Sequence, residues 1–288
     1  YSIGRELFEC AYLLEDAHAQ ESSTLERLLD DLQPRDLIIG DRHFCIVSFL
    51  LGILQRRGAF IIRQHGRLKG ELQGQPQKIG RVENGVAYEQ PIVVGGKTLR
   101  RVTVKLDEPT RDGDTEIHIL TNLPTSKADA RKIADVYRQR WEVENGFYVL
   151  TTALTCEVKS LGHPRAALFV FCTAMLAYNS MRVLFNAITA VWGEAVVADL
   201  STYSLSLEIS KAADGLNVLR TTAEWNSFLP TSPRGLAKFL LDLAEHVDIS
   251  RHQKSHRGPK KKPPKQTGYR NGGHVATAKI LGLSLIHI

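Results

Sequence analysis

The feature that most constrains the fold is a short apolar run, Leu-Ile-Ile-Gly at residues 37–40, between two segments with helical spacing. The run does not alternate apolar and polar residues, which is typical of a strand covered on both faces. Residues 21–32 place four leucines at spacings of three and four, and residues 44–57 return to helical spacing. A helix, a buried strand and a second helix in this order predict a layered α/β fold.

The rest of the chain divides by its periodicity. Residues 5–14 alternate and are interpreted as a strand. Residues 58–124 consist of short alternating runs separated by glycines, which predicts β-hairpins, with Gly95-Gly96 as one hairpin turn. Residues 126–219 are strongly helical in pattern, and residues 233–247 predict one more short helix.

The longest apolar run and the cysteine spacing bear on membrane contact and on the redox state of the compartment. The longest apolar run, residues 166–178, is shorter than the roughly 20 residues of a membrane-spanning helix. We therefore expect a buried core helix there and no membrane contact. The four cysteines show no Cys-x-x-Cys spacing, which argues against a zinc ribbon or a disulfide framework and favours a reducing compartment.

The positive charge of the chain is concentrated at its end. Nine of the 37 Lys and Arg residues lie in residues 251–288, which hold no Asp or Glu. Such a segment suits a polyanion such as DNA, and a solvated flexible tail is the alternative. The candidates for contact with a DNA backbone are Arg251, Lys254, Arg257, Lys260, Lys261, Lys262 and Lys265.

Asp41 is the first candidate for chemistry. It directly follows the apolar run, and a carboxylate at the carboxyl end of a buried strand lies where open α/β folds bind ligands. An Asp that caps the following helix has the same position, so this alternative stays open.

The second candidate is the predicted helix at residues 137–150. Tyr137, Arg140 and Glu144 are three and then four residues apart, which places them on one helical face. An ordinary ion pair between the Arg and the Glu is the alternative. The neighbouring Trp141 is predicted to belong to the core rather than to stack on a base.

These residues carry a resemblance to a known family. Asp41-Arg42, followed about 100 residues later by the segment YRQRWEVENGF, resembles the DDE transposases of bacterial insertion sequences, specifically the insertion sequence four family. The signature of that family is a Tyr, two residues, an Arg, three residues, a Glu, six residues and a Lys. The three helix residues named above match its first three positions, whereas Thr151 stands at the Lys position. The resemblance covers residues 5–180 or so.

The resemblance implies an α/β fold with an RNase H-like core, in which a mixed five-stranded sheet has helices on both faces. The core would comprise residues 1–57 and 125–220, interrupted by a β-rich insertion domain at residues 58–124. A C-terminal helical region at 221–250 and a disordered basic tail at 251–288 would follow.

The resemblance also implies the chemistry. Asp41 and Glu144 would be ligands of two Mg²⁺ ions. Such ions lie about 3.5–4 Å from each other and both bind the scissile phosphate. Tyr137, Arg140 and Arg42 would hold DNA phosphates near the cut. The implied partners are double-stranded DNA, both transposon ends and target, and a second protomer on paired ends. The implied location is the bacterial cytoplasm, at the nucleoid.

The first Asp of the family's triad has no match in this sequence. Asp16, Asp30, Asp31 and Asp36 precede Asp41, and none follows an apolar strand. We therefore expect that the chain begins after that Asp, that the metal site is incomplete and that this polypeptide is an inactive fragment; the final LSLIHI resembles read-through. A catalytically dead DNA-binding remnant, a domain unrelated to nucleic acids and a different RNase H-like nuclease stay as alternatives.

Overall fold

The computed structural model describes residues 1–12, 21–110, 113–153, 164–227 and 229–255. The strands of this part of the chain are Leu37–Gly40 (β1), Ala59–Arg63 (β2), Glu71–Leu72 (β3), Gln77–Val82 (β4), Gly85–Val94 (β5), Lys97–Leu106 (β6) and Glu116–Thr121 (β7). The α-helices are Leu25–Asp31 (α1), Val47–Gln55 (α2), Ala130–Arg138 (α3), Trp141–Tyr148 (α4), Pro164–Trp192 (α5), Glu194–Val197 (α6), Thr202–Leu219 (α7), Thr222–Asn226 (α8) and Pro233–Glu245 (α9).

All these strands form one mixed sheet in the order β1-β2-β7-β6-β5-β3, and β4 pairs with β5 as well. The β1–β2 pair is parallel, with Gly40 opposite Ile62, and the other pairs are antiparallel. A parallel pair needs a crossover connection, which α2 provides. The mixed sheet with flanking helices confirms the predicted α/β class.

Helices cover both faces of the sheet where its strands are apolar throughout. Phe60 and Ile62 of β2 point to α1 and α2 and lie in one core cluster with Phe49. Ile61 points to the other face, where it packs with Ile133 of α3. This explains why the strand sequences lack alternation, because a strand buried on both faces presents apolar side chains at every position.

The predicted hairpin turn at Gly95-Gly96 is confirmed. The two residues have φ angles of +57° and +75°, and they join β5 to β6 between the paired residues Val94 and Lys97. Two successive positive φ angles are those of a type I′ turn, which glycine adopts without strain.

Residues 58–124 are not set apart from the residues before them. β2 pairs with β1 on one side and with β7 on the other, so the hairpins continue the sheet that starts at β1. The described strands thus form one seven-stranded sheet, and the implied division into a five-stranded core and an insertion domain stays a prediction.

The predicted strand at residues 5–14 is wrong for residues 5–12, and residues 13 and 14 lie outside the described residues. The side chain of Asn179 on α5 hydrogen-bonds both backbone groups of Phe8. The Phe8 N–H donates to Asn179 Oδ1 at 2.9 Å, and Asn179 Nδ2 donates to the Phe8 carbonyl at 2.8 Å. Phe8 then packs beside Tyr178 in the core between the N-terminal segment, α4 and α5. The backbone at this point is therefore paired with a side chain and not with a strand.

The predicted core helix is present as α5 but is buried along one side only. Tyr178, Phe185 and Ile188 are buried, whereas Phe169 is 72% exposed and Leu176 is 67% exposed. Among the described helices, α5 alone is long and apolar enough to cross a membrane, a criterion that core helices of soluble proteins also meet.

Residues 251–255 differ from the predicted disordered tail. Gln253 forms a β-bridge with Leu200, and the buried His252 lies 3.1 Å from Ser204 Oγ through its Nδ1. Lys254 Nζ donates to the Ala198 carbonyl at 2.7 Å, and Arg251 lies 3.5 Å from Glu208. These contacts anchor the segment to the start of α7. The other basic candidates, Arg257, Lys260, Lys261, Lys262 and Lys265, lie outside the described residues.

We expect Arg100→Leu to destabilise the fold by about 3 kcal/mol, because it leaves the Glu89 carboxylate, which is only 18% exposed, without its cation. Arg100 also donates to the carbonyls of Leu123 and Ala128 in the connection to α3. Urea unfolding followed by circular dichroism measures the loss. The double variant with Glu89→Leu should recover part of it.

The matched control is Arg81→Leu. The Arg81–Asp107 pair is 65% and 44% exposed, so its loss should cost less than about 1 kcal/mol. Equal losses in the two single variants would contradict a structural role for Arg100.

Candidate active site

Asp41 lies at the edge of the sheet where the parallel strands β1 and β2 end. Its Oδ1 accepts a hydrogen bond from the His43 N–H at 2.8 Å and caps the 3₁₀ turn Arg42–Phe44. The capping role that the sequence left open is therefore present. Among the described residues, the second carboxylate oxygen makes no hydrogen bond, so one oxygen stays available to a ligand. The Arg42 side chain is exposed beside it.

The single helix predicted over residues 137–150 is wrong. α3 ends at Arg138 and α4 begins at Trp141. Between them the N–H of Arg140 donates to the Tyr137 carbonyl at 3.1 Å, and the N–H of Glu142 donates to the Gln139 carbonyl at 2.9 Å. These bonds span three residues, as in a 3₁₀ helix, in which residues i and i+3 are eclipsed. The break therefore brings Tyr137 and Arg140 directly above one another.

Arg140 connects the members of the site. Its Nη1 lies 3.1 Å from Glu144 Oε1, and its guanidinium lies 5.4 Å from the centre of the Trp141 ring. Its positive charge also lowers the pKa of the Tyr137 phenol. The Nε atom is buried and has no hydrogen-bond partner in the part of the chain that the structure describes. The helical ion pair that the sequence left open is therefore present, and it leaves part of the guanidinium unsatisfied.

The electrostatics of Tyr137 show which charges surround it. Burial raises the pKa of its phenol. The positive charges of Arg140 and Arg63 lower that pKa, and the negative charge of Asp41 raises it. Asp41, Arg63 and Arg140 are therefore the charges that act on the Tyr137 hydroxyl. A phenol with a raised pKa stays protonated at neutral pH and can donate a hydrogen bond.

Trp141 is not a core residue. Its side chain is 60% exposed, and Phe147 and Tyr148 on the same helix are 43% and 66% exposed. The predicted burial of Trp141 is wrong because α4 contacts its neighbours through Val143 and the residues after it. Trp141 therefore lies on the surface next to Arg140, whereas Phe147 contacts the ring of Phe8.

Thr151 does not replace the Lys that the resemblance leads one to expect. Its hydroxyl donates back to the carbonyl of Phe147 at 3.0 Å, within the π-helical segment Val149–Ala153. The hydroxyl is thus already used by the helix backbone, and this position brings no positive charge to the site.

Arg63 is a site residue that the sequence analysis missed. It is the last residue of β2, and in the register of the parallel pair it comes level with Asp41. The signal was the same as for Asp41, since a charged residue ends a buried apolar strand in both cases. Its Nη2 lies 2.6 Å from Asp114 Oδ2, and the two side chains are 25% and 40% exposed.

The fit of this site to a metal ion is partial. Asp41 and Glu144 each have a carboxylate oxygen without a hydrogen bond to any described group, and carboxylate oxygens suit Mg²⁺. No group of three or more His, Cys, Asp or Glu side chains suited to a metal ion occurs among the described residues. The described residues therefore supply two carboxylates and no third.

Comparison with known protein families identifies most of this region. The family model described as "Transposase DDE domain" matches residues 6–180, which is well over half of the chain and includes both candidate carboxylates. No curated protein matches the chain. The family match confirms the resemblance to DDE transposases.

The surroundings of Tyr137 can be tested without DNA or metal. We expect Asp41→Asn to lower the pKa of Tyr137, because a nearby anion that disfavours the phenolate is removed. Arg140→Gln should raise the same pKa, because a cation that favours the phenolate is lost. Carbon-13 NMR of labelled tyrosines follows the titration, and Tyr137→Phe assigns the signal. Arg138→Gln is the control, since Arg138 pairs with Glu83. An unchanged titration in Asp41→Asn would contradict the proximity of Asp41.

Proposed function

The chain belongs to the transposase DDE domain family, and on this premise we propose that it is a transposase of the insertion sequence four family. The family implies DNA cleavage in transposition, a DNA substrate and the use of divalent metal ions. One observation carries the finer proposal. Tyr137, Arg140 and Glu144 have the spacing of the family's signature, and the influence of Asp41 on the pKa of Tyr137 supports a common site. The reaction would be hydrolysis at the transposon ends followed by strand transfer from the freed 3′-hydroxyl, with two protomers on paired ends.

Arg140 is the best-supported phosphate ligand of this proposal. Its Nε is desolvated and lacks a partner among the described groups, a state that costs free energy unless a ligand completes it. A DNA phosphate supplies two oxygens to a guanidinium in the geometry that Arg prefers. Tyr137 can donate its hydroxyl to the same phosphate, and the exposed Arg42 can contact the backbone from the other side of Asp41.

Asp41 and Glu144 would hold a divalent cation, Mg²⁺ in this proposal. Two such ions supply a clamp that activates the attacking oxygen and stabilises the leaving oxygen. Asp41 and Glu144 would position the metal ions next to the phosphate that Arg140 binds. Because both carboxylates are partly exposed, the site is open to a duplex at the surface of the sheet edge.

The edge of the sheet supports an RNase H-like arrangement. β1 pairs with no described strand on its outer side, and a cleft of about 780 Å³ lined by Ile38, Ile39 and Leu28 borders it. A strand added there in parallel to β1 would end beside Asp41, at the place for a third carboxylate. DNA binding without cleavage is the second candidate function, because the Arg140 Nε, which has no partner among the described groups, can hold a phosphate without a metal ion.

Supercoiled plasmid and a short labelled duplex distinguish these functions. For the transposase we expect metal-dependent nicking that Asp41→Asn or Glu144→Gln reduces at least about a hundredfold, because a metal ligand stabilises the transition state by several kcal/mol. Both variants should still bind the duplex. Arg140→Gln should weaken binding and lower the slope of log affinity against log salt by about 0.9, the value for one phosphate contact.

The outcomes separate cleanly. Nicking that survives both carboxylate substitutions would overturn the site assignment. Binding without nicking in the unmodified chain would establish the DNA-binding remnant. No binding to any duplex at low salt would exclude both functions for this chain.

A further inference from the structure

The positions of Arg63 and Asp41 follow from the register of the parallel strands. Ile39 pairs with Ile61 and Gly40 with Ile62, and Asp41 and Arg63 are the residues that directly follow this last pair. Ile39 and Ile61 both lie in the cluster under α3, together with Tyr137. Because side chains alternate along a strand, Arg63 points to the same face as Ile61, and Asp41 follows β1 at the same edge of the sheet. The charge of Arg63 also acts on the Tyr137 hydroxyl, as expected from this placement.

Arg63 is occupied by a carboxylate in this structure. Its Nη2 donates to Asp114 Oδ2 at 2.6 Å. The turn before β7 holds Asp114 in place: the Thr110 N–H donates to the Asp114 carbonyl at 2.9 Å, and the Asp114 N–H donates to Thr110 Oγ1 at 3.0 Å. The carboxylate thus comes from a surface turn and reaches the guanidinium at the rim of the site.

Carboxylate and phosphate present the same pair of acceptor oxygens to a guanidinium. We propose that Arg63 is a further DNA-phosphate ligand of the candidate site and that Asp114 is the internal carboxylate that the phosphate replaces. This proposal rests on the proposed function, because it assumes that DNA binds at Asp41 and Glu144. Arg63 would hold a backbone phosphate on the β2 side of Asp41, while Arg140 holds one on the α4 side.

The burial of the two partners suits such an exchange. The Arg63 side chain is 25% exposed, so its charge is stabilised by an anion whether or not DNA is bound. The Asp114 side chain is 40% exposed and can be hydrated by solvent after a phosphate replaces it. A pair at this exposure is weak enough for a phosphate to compete with it. The buried Arg100–Glu89 pair, with 14% and 18% exposure, has no such access to a ligand.

Asp114→Asn removes the competitor and keeps the size of the side chain. We expect it to tighten binding of a short labelled duplex of mixed sequence about threefold to fivefold, the range for one partly exposed ion pair. Arg63→Gln should weaken binding about tenfold and lower the salt slope by about 0.9. Asp114→Glu retains the carboxylate and should bind DNA as the unmodified chain does.

Asp107→Asn is the matched control. Asp107 stands at the start of the same β6–β7 connection, pairs with Arg81 through two bonds of 2.8 and 2.6 Å, and carries the same charge as Asp114. Its substitution measures the general effect of removing one negative charge. The gain from Asp114→Asn must exceed the gain from Asp107→Asn, and it must vanish in the double variant with Arg63→Gln.

Two failures can be told apart. If the unmodified chain binds no DNA, the proposed function fails and this proposal fails with it. If it binds DNA, but Asp114→Asn equals Asp107→Asn or keeps its gain without Arg63, only the exchange at Arg63 is overturned. Thermal unfolding of each variant tests whether it is folded. Asp114→Glu keeps the carboxylate and so controls for an effect of altering the turn itself.

Discussion

The parallel pairing of β1 with β2 is the constraint on which the candidate site depends. Parallel strands end at the same edge of a sheet, so the residues that follow them come together although 22 positions of sequence separate Asp41 from Arg63. The α2 crossover makes this pairing possible, and the apolar face of α2 is buried on the sheet through Phe49 and Leu50. β7 then pairs with the other edge of β2 and continues the sheet into the hairpins.

The break between α3 and α4 places the remaining groups. A continuous α-helix would place Arg140 about 60° around the axis from Tyr137, and a 3₁₀ turn reduces this angle further. α3 is held on the sheet by Ile133, so Tyr137 faces the strand ends. Arg140 in turn pairs with Glu144 one helical turn further along the chain. The site therefore combines a sheet edge with a local change of helix type.

Three Arg–carboxylate pairs along this sheet differ in burial, and burial decides what each can do. Arg100–Glu89 is enclosed and joins β6 and β5 to the connection before α3, which makes it structural. Arg81–Asp107 is the most exposed of the three and contributes little in water. Arg63–Asp114 lies between these limits and at the site itself. In our proposal, the same two functional groups thus serve stability or ligand exchange according to their access to solvent.

The sequence by itself determined the local features, because they depend on neighbouring residues. The apolar run at 37–40, the turn at Gly95-Gly96 and the Tyr-Arg-Glu spacing each predict a structure or a resemblance that was found. Only the tertiary structure decided what depends on distant pairing. Asn179 hydrogen-bonds the backbone N–H and carbonyl of Phe8, so these groups are not available to the strand expected there. Arg63 ends its strand at the same sheet edge as Asp41 because of the parallel register, which periodicity does not encode. Trp141 is exposed because α4 buries its other side.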